Sequence, residues 1–160
     1  MDVGKAIKFG DNIDTDQIIS GEFLCLPTIK DMVKYTFRNC ENFIENFHEG
    51  DFIVGGNNFG SGSAREQAVS VLKEIGVKAV IAKDFARIFY RNALNLGVLV
   101  LECNDADKIS NLDVLQIDIN SGTIINLTQK VTYKINPIPE FIKEIIHAGG
   151  VVNYLKNKSK

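Results

Sequence analysis

The sequence predicts an α/β fold, a parallel βαβαβ core followed by a C-terminal β-hairpin and helix. Three observations carry that expectation. Between residues 51 and 101, short apolar runs alternate twice with longer stretches whose apolar residues recur at helical spacing. A glycine-rich loop, GGNNFGSGSAREQA over 55–68, joins the first run to the first helical stretch. That puts it at the carboxyl end of a strand, where α/β folds place ligands. Beyond residue 114 the pattern changes to two strand-like segments around Asn120-Ser121-Gly122, a hairpin signature.

Length and composition bound what these elements can build. The 160 residues are expected to form a single domain, 1–160, able to bury a core without disulfides or metal. A content of 45% hydrophobic and 24% charged residues is ordinary for a globular protein. With 18 basic against 20 acidic residues there is no basic excess to recommend nucleic acid as a partner. Residues 1–9 hold no apolar core of signal-peptide length, and no apolar run approaches the roughly 18 residues of a membrane span. A cytoplasmic location is expected. Cys25, Cys40 and Cys103 are odd in number and lack a C-x-x-C pair, so they read as ordinary thiols with no metal site on this chain.

In chain order, residues 3–9 (VGKAIKF) read as an opening strand ended by Gly10. DNIDTDQIIS follows and brings Asp11, Asp14 and Asp16 close together. An EF-hand loop counted from Asn12 would put Gln17 at the turn glycine and Phe23 at the bidentate Glu, so calcium is rejected. The cluster reads as a structural loop whose side chains bond nearby backbone. GEFLCLPT (21–28) is a loop with an apolar centre, Phe23, Leu24, Cys25 and Leu26, and an exposed apolar loop suggests contact with a substrate or a partner. Residues 31–47 form a plausible helical stretch with Val33, Phe37, Phe43 and Phe47 among its apolar positions. His48 and His147 have no partner at ligand spacing and read as surface or packing residues.

DFIV (51–54) reads as a short buried strand, and Ala64, Ala68, Val71, Leu72 and Ile75 then recur helically before Gly76. Ser63, three residues ahead of Glu66, fits a capping box, which places Ser63 at the N-cap and Arg65 in the first turn. An arginine there opposes the helix dipole at a cost of about 0.3–1 kcal/mol. Amides, hydroxyls and a guanidinium gathered at one point suit an anion. The plainer reading, in which Ser63 only caps the helix and Arg65 lies back into solvent, stays equally open on this loop alone.

VKAVIA (77–82) is an uninterrupted apolar run typical of a strand buried on both faces. Asp84 is placed to cap the next helix, 85–96, whose stripe is Phe85, Ile88, Phe89, Ala93 and Leu96 and whose stop is Gly97. VLVL (98–101) is the third strand, and the βαβαβ order implies right-handed crossovers. Segments 114–119 and 123–127 form the hairpin, and 130–135 is a further strand. Pro139 opens a short helix with Phe141, Ile142, Ile145 and Ile146 on one face, stopped by Gly149-Gly150. The KNKSK tail is expected to fray.

Nucleotide binding fits the glycine loop poorly. Gly60-Ser61-Gly62 begins a dinucleotide fingerprint, but Arg65 stands at the third glycine position, where its bulk blocks close helix packing. A P-loop is excluded because Ser61 follows Gly60 where the lysine belongs. Small carboxylates suit the loop better than a pyrophosphate.

IDTDQII (13–19), NFGSGSAREQA (58–68) and FARIFYRNALNLGVL (85–99), in that order, resemble the small subunits of 3-isopropylmalate dehydratase, of the aconitase superfamily, and the likeness covers nearly the whole chain. The resemblance implies a swivelling β/β/α domain, the fourth domain of aconitases made as a separate chain. It implies a hydro-lyase that isomerises 2-isopropylmalate and 3-isopropylmalate in leucine biosynthesis, with homoaconitate, citraconate (2-methylmalate) and 2,3-dimethylmalate hydratases as alternatives. The partner it implies is a large subunit bearing a [4Fe–4S] cluster, whose iron acts as Lewis acid on the departing hydroxyl, with no cofactor on this chain.

Carried onto these positions, the resemblance makes Ser63 the catalytic base, Asp16 an active-site acid and Arg65 a substrate-carboxylate ligand, with Ser61, Gly62 and Ala64 beside them. The family motif Gly-Ser-Ser-Arg-Glu has its second serine replaced by Ala64, so one hydroxyl is absent. Phe23, Leu24, Cys25 and Leu26 become the loop that reads the distinguishing group of the substrate. Without a positive charge among them, an alkyl group is expected there rather than a third carboxylate. The non-enzymatic rival is an anion-binding or regulatory module that uses the same loop.

Overall fold

The computed structural model describes residues 2–159. Strands β1 (Asp2–Lys8), β2 (Phe52–Val54), β3 (Ala79–Ala82) and β4 (Val100–Glu102) pair in parallel in the order β4-β3-β2-β1. Strands β5 (Val114–Asp118), β6 (Thr123–Asn126) and β7 (Val131–Lys134) extend the same sheet antiparallel from β1. The expected βαβαβ core and hairpin are both present, and β1 joins them. Its residues 2–5 pair with β5 and its residues 6–8 with β2, so one strand serves both halves.

Strands laid down in one direction by crossovers of one hand collect their helices on one face. Here α4 (Glu66–Glu74) and α5 (Arg87–Leu96) bury Val69, Leu72, Phe89 and Ala93 with Ile53 and Val80 of the sheet. The alternate residues Phe52, Val54, Ala79 and Ile81 form a second core with Leu115, Ile117, Ile124 and Tyr133. The antiparallel half therefore curls over the face that the helices leave bare. That double covering explains why β2 and β3 are apolar at every position.

Three expectations are corrected. Residues 11–20 are not all loop, because α1 (Thr15–Ile18) lies there. The Asp14 carboxylate accepts the amides of Asp16 and Gln17, and the Gln17 side chain accepts the Asp14 amide, a complete capping box. The helical stretch expected over 31–47 is broken into α2 (Ile29–Met32), a 3-10 turn (Val33–Tyr35) and α3 (Phe43–Asn46). Phe37 and Asn42 take φ of 49° and 59°, which ends a right-handed helix, and Phe37 gains a stack on Phe9 with centroids 4.3 Å apart. Of the tail expected to fray, residues 156–158 are helical, and Lys160 lies outside the described residues. After α6 (Glu140–Ala148) the chain turns at Gly149-Gly150 and continues as α7 (Val151–Lys158), packed on α5 and α6. No helix among the described residues is long and apolar enough to cross a membrane.

Candidate active site

The loops after β1, β2 and β3 leave the same edge of the parallel strands, and the backbone knits them together. The amides of Gly60 and Ser61 donate to the Ile13 carbonyl (2.6 and 3.2 Å), and the Thr15 amide donates to the Ser61 carbonyl (2.9 Å). On the other side, the Phe59 amide donates to the Asp84 carbonyl (3.1 Å) and the Ala86 amide to the Phe59 carbonyl (2.9 Å). This close meeting needs glycine at residue 60, where φ is 84° and a side chain would run into the Phe89 ring.

Asp84 does not cap α5. That helix starts at Arg87 with Ala86 as N-cap and has no side-chain cap. The Asp84 carboxylate accepts the Asn58 amide at 2.5 Å, and Asp11 accepts the Asn57 amide at 2.7 Å, so both acids tether the glycine loop.

Ser63 is not a cap either. Helix α4 begins at Glu66, its N-cap is Arg65 in extended conformation (φ −99°, ψ 107°), and no side chain caps it. Glu66 is the first helical residue rather than the third, so no capping box forms. The Thr15 hydroxyl holds the Ser63 carbonyl at 2.8 Å and the Arg65 amide donates to the same carbonyl at 2.8 Å. These contacts keep Ser63 two residues ahead of the N-cap. Its side chain is exposed, and among the described residues its hydroxyl has no hydrogen-bond partner.

Arg65 does not lie back into solvent. Its Nη1 donates to Asp16 Oδ1 (2.8 Å) and to the Ile19 carbonyl (3.0 Å), and its side chain is only 20% exposed. The hydrogen bond from Arg65, helped by the Gly21 amide at 3.2 Å, holds the Asp16 carboxyl below its ordinary pKa. Asp16 is therefore an ionised anchor for the guanidinium in this geometry.

The 23–26 loop is less exposed than expected. Phe23 stacks on Tyr35 with centroids 4.0 Å apart, and Arg38 covers the ring at 5.0 Å. Phe23, Leu24 and Leu26 are half-buried against the helix-side core, because stacking and packing there outweigh exposure of the ring. Only Cys25 is exposed, its thiol donating to the Glu22 carbonyl at 3.3 Å.

A cleft of about 210 Å³ opens where α4 and α5 begin, lined by Thr15, Ser63 and Arg65 on one wall and by Arg87, Ile88 and Asn92 on the other. Gly62 and Ala64 line it as well, whereas Ser61 is half-buried with its amide and carbonyl engaged. Sequence reasoning missed Thr15, Arg87 and Asn92. The available signal for Arg87 was an arginine in the first turn of a helix with no acid beside it. A larger groove, about 500 Å³, runs between α6 and α7, but its lysines are matched by Glu140 (3.6 Å) and Glu144 (3.9 Å). The cleft at Ser63 instead combines an unengaged hydroxyl, two guanidiniums and two helix N-termini without side-chain caps, an arrangement suited to a small anion.

Among the described residues no three His, Cys, Asp or Glu converge to hold a metal. Cys25 is at the surface, Cys40 at intermediate depth and Cys103 in the core, where burial pushes its thiol pKa up. Such a set offers no cradle for an iron–sulfur cluster.

A family model described as the Aconitase C-terminal domain matches residues 42–106. The 3-isopropylmalate dehydratase small subunit of Methanosarcina mazei is 49% identical over 154 residues, covering 96% of this chain and 95% of that one. The small subunit 1 of the same enzyme from Archaeoglobus fulgidus is 48% identical, with 97% of each chain covered. The crystal structure of 3-isopropylmalate dehydratase (leuD) from Methanocaldococcus jannaschii superposes with a TM-score of 0.93 at 44% identity, covering 98% of this chain and 94% of the other.

Proposed function

Since the chain belongs to the family of 3-isopropylmalate dehydratase small subunits, we propose that it is the small subunit of a two-subunit hydro-lyase interconverting 2- and 3-isopropylmalate. The large partner, the iron–sulfur cluster that the resemblance assigns to it, the cytoplasmic location and the reading of 1–160 as one domain are parts of this proposal. The chain's share of the chemistry is to bind a carboxylate and move a proton.

The observation that supports the reading most directly is the Ser63 hydroxyl, unengaged and lining the same cleft as Arg65. In this reading Ser63, as alkoxide, takes the proton from the carbon next to a substrate carboxylate and becomes the hydroxyl. The hydroxyl on the neighbouring carbon then leaves as water, a departure for which the partner's cluster would supply the Lewis acid, and re-addition with oxygen on the first carbon and the Ser63 proton on the second gives the other isomer. A serine alkoxide needs positive potential nearby, which the Arg65 guanidinium and the open amides at the start of α4 supply. We assign Arg65 to a substrate carboxylate and Asp16 to holding Arg65 in place. Gly62 and Ala64 give the backbone close approach at the cleft, and the half-buried Ser61 keeps the loop in register with Thr15.

Reconstitution tests the proposal. Mixed anaerobically with the large subunit, the chain is expected to support interconversion of the two isopropylmalates, and each chain alone is expected to be inactive. Turnover by this chain alone, or failure of the assembled pair to convert either isomer, would refute it.

A further inference from the structure

The far wall of the cleft is the first turn of α5, which carries no side-chain cap and no acidic residue. Arg87 leads that turn, is exposed, and makes no ion pair among the described residues. Four residues on stands Arg91, also exposed, and like charges at i, i+4 destabilise a helix. A guanidinium at the positive end of a helix, facing a second one, is unfavourable unless an anion lies between it and the dipole. Arg65 also stands at a helix start, as N-cap of α4, but there Asp16 pairs with it and Glu66 lies in the first turn.

The two arginines stand on opposite walls of one cleft, and Arg65 already has one nitrogen committed to Asp16 and Ile19. A malate-type substrate has two carboxylates. We propose that Arg87 binds the substrate carboxylate that Arg65 does not, an assignment that rests on the functional reading above. The planar fork of Arg87 can take a carboxylate bidentately, and the open amides of the first turn add to the attraction.

The test uses the complex reconstituted with the large subunit, comparing wild type with Arg87→Gln, Arg87→Lys and, as a neighbour outside the cleft, Arg91→Gln. Arg87→Gln is expected to raise KM for isopropylmalate about 10- to 100-fold, with a smaller change in kcat and no loss of thermal stability. Arg87→Lys should recover only part of the affinity, because an ammonium lacks the fork. Arg91→Gln should leave both constants unchanged. An unaltered KM in Arg87→Gln overturns the assignment. So does weakened large-subunit binding with normal KM at saturating large subunit, since Arg87 would then be an interface contact. If the wild-type complex does not turn over isopropylmalate, the functional reading fails separately, and calorimetric binding of isopropylmalate to wild type and Arg87→Gln still decides. Equal affinities, or none in either, reject the role of Arg87.

Discussion

Ser63 stands ahead of α4 rather than on it, and that separates two effects a serine cap would have combined. Ser63→Ala is expected to change stability by no more than about 0.5 kcal/mol, while turnover of the assembled enzyme falls roughly 10²–10⁴-fold. Thermal melts and kcat on the same preparation check both parts. A loss of about 0.5–2 kcal/mol with intact kcat would mark Ser63 as a cap. Cys25 is the one exposed side chain between Phe23 and Leu26, so a change there alters the surface of the loop without disturbing the Phe23–Tyr35 stack. Wild type is expected to prefer isopropylmalate, whose alkyl group gains about 0.8 kcal/mol per buried CH₂, over homocitrate. Cys25→Arg should move kcat/KM toward homocitrate, and an unmoved ratio would remove the loop from substrate choice.

At the level of elements, the antiparallel half is fastened by one carboxylate. Asp113, just ahead of β5, is buried, and its Oδ2 accepts the Ser110 amide (2.9 Å), Asn126 Nδ2 (2.8 Å) and Gln129 Nε2 (2.6 Å). Burial pushes its pKa up, but these hydrogen bonds and the charge of Lys8 outweigh it and hold the carboxyl below its usual range. Lys8 is held in turn by the carbonyls of Ala106, Asp107 and Ile109, which tie the end of β1 to the turn after β4. With the folded pKa below the unfolded value of about 3.9, the ionised Asp113 adds stability above that pH. The contribution disappears as pH falls through the folded pKa. Asp113→Ala should therefore cost about 1–3 kcal/mol at pH 7 by leaving the Ser110 amide and Asn126 Nδ2 without their acceptor, while Gln129 Nε2 keeps the Lys108 carbonyl. The difference from wild type should shrink in urea titrations run progressively below pH 4. A gap that stays constant with pH would assign the loss to something other than the charge.

For the whole molecule, β1 makes the two halves of the sheet interdependent, since it pairs with β2 along one stretch and with β5 along the other. The second core likewise mixes residues of β2 and β3 with residues of β5, β6 and β7. Unfolding in urea is expected as a single transition with coincident midpoints by far-ultraviolet circular dichroism and tyrosine fluorescence. Two separated midpoints would show that the parallel and antiparallel halves fold as independent units. The same arrangement positions the site, because parallel strands deliver three successive loops to one edge.

The apolar runs of β2, β3 and β4, the hairpin turn and the glycine loop are local patterns, so the sequence by itself determined the α/β order and the place of the candidate site. Motifs over 13–19, 58–68 and 85–99 also pointed to Ser63, Asp16 and Arg65 before any geometry was known. What only the tertiary structure decided lies where a local preference meets a distant competitor. Ser63 and Glu66 satisfy a capping pattern, yet Thr15, 48 positions away, takes the Ser63 carbonyl and frees its hydroxyl. Asp84 is suited to cap α5, yet it serves the Asn58 amide 26 residues earlier. Phe37 has helical spacing, yet stacking on Phe9 turns its backbone left-handed. Arg87 meets the loop after β2 only when that loop is folded against α5 and the two line one cleft. For Ser63 and Asp84 a long-range contact outweighs a capping preference of about a kilocalorie per mole, and in all four cases the deciding contacts exist only once the chain is folded.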